Sequence, residues 1–147
     1  MGKKIWFWVF ALLVLGGGAS QAATMVSVTA DSINMYAGPG DNFPVLWSLG
    51  VGFPLRALEE QGDWYRVEDF EGAAGWVRKK LVGREAHVIV KGEKANIRSG
   101  PSDRYKLLGV ANRGVVLQTL KVKGNWVKVK HAGGVTGWVS LNLLWGL

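Results

Sequence analysis

Residues 126–130 alternate strictly between a valine face and a face of tryptophan and lysine. A period of two is the signature of a strand, so Trp126, Lys128 and Lys130 share one side and Val127 and Val129 the other. Residues 64–68 read the same way, with Trp64, Arg66 and Glu68 opposite Tyr65 and Val67. Such a strand buries its apolar face, which places both tryptophans on the polar side beside the turn that opens each strand. Those turns are Gly62-Asp63 and Gly124-Asn125. A glycine followed by Asp or Asn between two apolar runs predicts a two-residue type II′ hairpin. Upstream, Val28 to Met35 is spaced as a strand ended by a Gly38-Pro39-Gly40 turn. Phe43 to Leu49, containing Pro44, reads as an ordered loop. Phe53 to Leu58 is a short strand with Pro54 near its start, where a missing N–H is tolerated. No later stretch sustains a 3.6-residue apolar spacing. Short strands, frequent glycines and tight turns predict an all-β chain of small barrels or sandwiches.

The pattern occurs twice. An offset of 62 residues carries Asn34 to Asn96, Gly38-Pro39 to Gly100-Pro101, Asp41 to Asp103 and Leu55 to Leu117. It then carries Trp64 to Trp126, Val67 to Val129 and Gly75-Trp76-Val77 to Gly137-Trp138-Val139, with no gap. A fixed period that keeps Gly, Pro and Trp in one order means two copies of one small fold. The copies are expected at residues 25–84 and 87–147, close neighbours because the joining segment is short and not Pro/Ser-rich.

The first residues change the picture of where the chain works. Lys3 and Lys4 precede an uncharged apolar run from Ile5 to Leu15, followed by small residues with Ser20 and Ala22 at the −3 and −1 positions of a cleavage site. This predicts a cleavable helical signal peptide over residues 1–22, and the run is shorter than the roughly 20 residues of a membrane span. An uncleaved anchor is the alternative, and no stable span is expected after cleavage. The absence of cysteine excludes disulfides, Cys-based metal sites and a cysteine nucleophile. Together with export it suits a bacterial envelope protein, in the periplasm or outside the cell.

Charge divides the copies. Residues 24–85 hold six basic and nine acidic side chains, and residues 86–147 hold ten and two. A copy biased that strongly should attract an anionic surface or polymer, or else the two copies attract each other.

The order Asn96-x-Arg98-x-Gly100-Pro101-Ser102, then Gly124-Asn125-Trp126-x-Lys128-Val129, then Gly137-Trp138-Val139 resembles the bacterial SH3 (SH3b) domain family. The first copy departs from it at Tyr36, where arginine is usual. The resemblance covers almost all of the chain after residue 23. It implies two tandem strongly bent SH3-like barrels that bind peptidoglycan, peptides or partner proteins outside the cytoplasm. In SH3-like folds a tryptophan beside the hairpin mouth can floor a ligand groove. That nominates Trp64 with Tyr36 and Phe43, and Trp126 with Arg98 and Tyr105, each aromatic worth about 0.5–2 kcal/mol by stacking. The alternative is that each tryptophan covers an open barrel edge beneath the Gly-Pro loop. Trp76 and Trp138 read as core or rim packing. Trp47, which faces Gly109 in the repeat, is specific to the first copy if exposed, and Trp145 is expected to close the barrel or mark an interface.

Catalysis finds no inventory. His87 and His131 are the only histidines and read as exposed loop residues, and no zinc-ligand pair or nucleophile motif is present. Glu59, Glu60, Asp63, Glu68, Asp69 and Glu71 read as a solvated acidic face and not a glycosidase pair. No cofactor and no metal are expected, and export argues against a nucleic-acid partner. The expectation is a non-catalytic tandem module for a cell-envelope component, most of all peptidoglycan, with an anionic polymer at the second copy. The competing expectations are docking to an envelope protein and a structural unit in which the two copies, or two molecules, face each other.

Overall fold

The computed structural model describes residues 23–147; the expected signal peptide lies outside the described residues. Each copy folds into one seven-stranded antiparallel sheet. The first holds β1 (Thr24–Val28), β2 (Ser32–Tyr36), β3 (Val45–Gly50), β4 (Pro54–Gln61), β5 (Trp64–Glu68), β6 (Ala74–Arg78) and β7 (Val82–Gly83), in the order β3-β2-β6-β5-β4-β1-β7. The second repeats it with β8 (His87–Val90), β9 (Lys94–Arg98), β10 (Leu107–Asn112), β11 (Val116–Lys123), β12 (Trp126–Lys130), β13 (Thr136–Ser140) and β14 (Leu144–Trp145). A single 3-10 turn, Lys79–Leu81 or Leu141–Leu143, precedes each last strand.

Both hairpins form as expected. Gln61 pairs with Trp64 and Lys123 with Trp126, leaving two-residue loops. Gly62 and Gly124 each have φ +56°, while Asp63 and Asn125 stay at negative φ, the type II′ pattern. Gly62→Ala or Gly124→Ala is therefore expected to cost about 1 kcal/mol, read as a lower melting temperature, because a Cβ is disfavoured at positive φ. One residue past the middle of β4 and β11 the register shifts at Ala57/Glu59 and Thr119/Lys121. These bulges bend the long strands so that each serves both β1 or β8 on one side and β5 or β12 on the other.

Two expectations are corrected. Val28 to Met35 is not one strand: β1 pairs with β4 and β2 with β3, and the chain turns at residues 29–31 between them. Residues 43–49 are not a loop throughout, since β3 begins directly after Pro44. β3 is an edge strand that pairs only with β2, and just one of its side chains, Leu49, is buried. Its strand character comes from backbone pairing and leaves no alternation in the sequence.

The cores occupy matching positions. Val28, Met35, Leu55, Val67 and Val77 fill the first, and Val90, Ile97, Leu117, Val129 and Val139 the second. Burying each such side chain contributes about 1.5–3 kcal/mol, and no cross-link supplements them. The copies also touch. The Arg56 guanidinium lies 5.3 Å from the Trp145 ring, and Arg113 reaches both Glu71 and the Phe70 ring, while Ser27 Oγ holds the joining segment by donating to the Glu85 carbonyl at 2.7 Å. Among the described residues Arg113–Glu71 is the one ion pair that crosses the junction. The acidic first copy therefore leaves most of the second copy's positive charge unneutralised.

Candidate functional site

The tryptophan that opens β5 and the one that opens β12 lie on the side of the sheet away from the core, as the alternation predicts; neither belongs to a core cluster. Their surroundings differ. Trp64 is only 8% exposed, which corrects the expectation of an open platform in the first copy. Tyr36 meets it edge-on at 5.5 Å between ring centroids, and the Arg78 guanidinium stacks 4.7 Å from its ring. Arg78 is fixed in turn by an ion pair with Asp41 in the Gly-Pro loop. The indole is sealed between a strand, a loop and a cation.

In the second copy the same acid is held differently. Arg98, at the position of Tyr36, donates to the Tyr105 carbonyl at 3.1 Å and lies 3.9 Å from Asp103. Ser140 stands where Arg78 stands and bonds instead to Asn142. The loop-holding arginine has thus moved from the sixth strand of the copy to the second, and among the described residues no ring or cation stacks on Trp126, which stays half-buried. Its indole lines a groove of about 670 Å³ with Asn125, Ser140, Asn142 and Trp145, and with the charged Lys91, Asp103 and, from the first copy, Arg56. That volume lies within the range of small-ligand sites, about 300–1,000 Å³.

The nominated sets are therefore only partly assembled. Tyr36 and Trp64 touch, whereas Phe43 lays its ring on Gly38 and is 41% exposed. Arg98 and Tyr105 meet through a backbone carbonyl, but Tyr105 rests on Gly100 and lines a separate depression with Pro101 and Arg104. A Cβ on Gly38 or Gly100 would lie within 2.4–2.5 Å of those rings, so close approach and not positive φ explains the two glycines. Arg56, Asn125, Ser140 and Asn142 were not anticipated, and Trp145 was expected only to close the barrel or mark an interface. The signal for them was the departure of one copy from the other, with Arg78 facing Ser140, Lys80 facing Asn142 and Gly83 facing Trp145.

The titratable groups serve the fold. Glu68 pairs with Arg56 at 3.5 Å, Glu60 with Lys79, and Asp69 accepts from the Glu71 and Ala73 amides at 2.9 and 2.8 Å. The expected solvated acidic face is thus largely engaged. The histidines, expected to be exposed, are half-buried: His131 Nδ1 accepts from the Gly133 amide at 2.9 Å in the place of Asp69, and His87 packs on Gly52 at the junction. Among the described residues no three His, Asp or Glu side chains are grouped to hold a metal. The Lys79 ammonium is raised above its ordinary 10.5, first by its hydrogen bond to Glu60, against a smaller opposing effect of desolvation. A raised folded-state pKa contributes stability in full below 10.5 and loses it as pH climbs through the folded value. Lys79→Gln is accordingly expected to lower the melting temperature equally at pH 6 and pH 9, and by less above pH 10.5.

Comparison with known proteins agrees with this architecture. The family model described as bacterial SH3 domain matches residues 29–83 and again residues 91–146. The chain belongs to the bacterial SH3 domain family. A Bacillus subtilis protein, YrvJ, named as an N-acetylmuramoyl-L-alanine amidase, is 25% identical over 124 residues, covering 77% of this chain and 24% of YrvJ. The Escherichia coli protein YgiM, named as uncharacterized, is 40% identical over 50 residues, 33% of this chain and 24% of its own length. The chain thus spans about a quarter of the length of these curated relatives. Among solved structures, NlpC1 of Trichomonas vaginalis aligns at 15% identity and a TM-score of 0.40, over 92% of this chain and 50% of that one. Among the described residues no helix is long and apolar enough to cross a membrane.

Proposed function

We propose that the chain is an exported, non-catalytic binding module of the bacterial cell envelope, which holds peptidoglycan in the groove of its second copy. The observation that carries this reading is the contrast between two equivalent tryptophans: Trp64 is sealed under Tyr36 and Arg78, and Trp126 lines an open groove. Two indoles lining one groove with amide and hydroxyl groups suit the sugar faces and amide-rich peptides of peptidoglycan. Arg78, Lys79 and Lys80 of the first copy are replaced by Ser140, Leu141 and Asn142 at the groove, so its turn is uncharged although its copy is the basic one. The name of the Bacillus relative refers to N-acetylmuramoyl-L-alanine, the junction of glycan and peptide in that polymer. The carboxylates and histidines engaged above support a binding role over a catalytic one.

The test is co-sedimentation of the chain, without its first 22 residues, with purified peptidoglycan sacculi at low and moderate salt. Retention at both salt concentrations is the expected result, because aromatic and amide contacts are little screened. A chain that stays in the supernatant at both would sink the wall-binding reading. Docking to an envelope protein would then stand on the exposed edge strand β3, where Val45, Leu46 and the 57% exposed Trp47 offer a template for strand addition.

A further inference from the structure

The antiparallel register sets four outward side chains in a row across each barrel. In the first they are Tyr36, Trp76, Arg66 and Glu59. In the second they are Arg98, Trp138, Lys128 and Lys121. An arginine opposite a glutamate has become a lysine opposite a lysine. Like charges directly across a strand pair destabilise a sheet. On the same face Lys123 sits opposite Trp126, and Lys130 opposite Gln118. Among the described residues none of these four lysines has a carboxylate within ion-pair distance; the acid closest to the row, Asp103, lies by Arg98.

We propose that this face of the second barrel binds a linear polyanion carrying repeated phosphate groups. Adjacent strands are about 4.7–4.9 Å apart, so Lys121 and Lys128 stand about 5 Å from each other and Arg98 about 10 Å beyond Lys128. That ladder suits a chain with a charge at each short repeat. Four of the five cations are lysines, point charges whose compact ammonium groups meet a phosphate from any direction. Trp138, between Lys128 and Arg98, supplies an apolar surface for the sugar or polyol that links the phosphates. A repulsive pair left uncompensated in a small barrel is explained when the bound polymer neutralises it. The surface needs neither Arg56 nor Trp145, so it stands whether or not the groove holds peptidoglycan.

The experiment titrates the chain with long-chain inorganic polyphosphate at 50 and 200 mM salt, beside poly-L-glutamate and phosphatidylglycerol vesicles. Polyphosphate is expected to bind best, with an association constant that falls roughly 50-fold between the two salt concentrations, as neutralising about four phosphates of a single-stranded polymer requires. Lys121→Glu rebuilds the charge pattern of the first barrel. It should raise the melting temperature of the second barrel by about 2–6 °C while weakening polyphosphate about tenfold and flattening the salt dependence. Lys121→Gln should move both readouts in the same directions by less. Undiminished polyphosphate binding by Lys121→Glu would overturn the proposal. So would tighter binding to the vesicles, which would assign the face to a membrane surface, or to polyglutamate, which would assign it to carboxylates.

Discussion

Trp64→Ala is expected to cost the first barrel about 3–5 kcal/mol, the range for removing a large buried aromatic, and to leave binding to the cell wall intact in whatever fraction remains folded. The cost has three sources. The indole is almost fully buried, its removal leaves Tyr36 without its edge-on partner, and Arg78 loses the ring it stacks on while keeping Asp41. Loss of several kcal/mol is a large share of the stability of a barrel of about 60 residues. Trp126→Ala should behave in the opposite way. Its ring is half-buried, carries no stacked cation among the described residues and borders a groove, so the second barrel should lose about 1–2 kcal/mol while retention on sacculi falls about tenfold. Guanidinium titration of each variant, read by circular dichroism, gives the stabilities, and sedimentation with sacculi gives the binding. Equal destabilisation by the two substitutions would show that the seal over Trp64 is no seal, and the assignment of function to the second copy would fall with it.

What could be read from the sequence divides along a physical line. The valines and tryptophans of β5 and β12 alternate because a pleated strand must bury one face, and the Gly-Asp and Gly-Asn turns are legible because only glycine takes the first position of a type II′ turn easily. β3 was not legible, since an edge strand with one buried side chain imposes no period on its residues. The side of the sheet that holds each tryptophan was legible, and its exposure was not. Exposure depends on which strand sends an arginine to the Gly-Pro loop, and that choice involves residues 42 positions apart in the chain, Tyr36 and Arg78. The departure of Tyr36 from the family's arginine was visible, but its compensation by Arg78 needs the register that brings β2 beside β6. The groove escaped for a related reason. It is built where the copies differ, at Ser140, Asn142 and Trp145, and a search for what repeats passes over those positions.

The same exchange supplies the second large expectation. Transplanting the seal onto the second copy, by Arg98→Tyr with Ser140→Arg, should close the groove and lower retention on sacculi about tenfold without destabilising the barrel. Asp103 already stands where Asp41 stands, so the incoming guanidinium has its carboxylate, and the incoming tyrosine has Trp126 to meet edge-on. The stacked cation and the aromatic pair each contribute about 0.5–1.5 kcal/mol to the closed form, enough to shift a ligand that needs the open one by a factor of ten. One arginine is removed and one is added, so the net charge is unchanged. Arg98 also belongs to the outer lysine face, so Lys121→Glu is the control: a loss at moderate salt that Lys121→Glu does not reproduce belongs to the groove and not to weaker attraction for an anionic wall. Acrylamide quenching should report a more shielded indole in the same variant. The reciprocal change, Tyr36→Arg with Arg78→Ser, should expose Trp64 to the quencher. If the sealed second copy still sediments with sacculi at moderate salt, the groove beside Trp126 is not the binding site. The outer lysine face, which these substitutions touch only at Arg98, would then account for whatever retention is salt-sensitive.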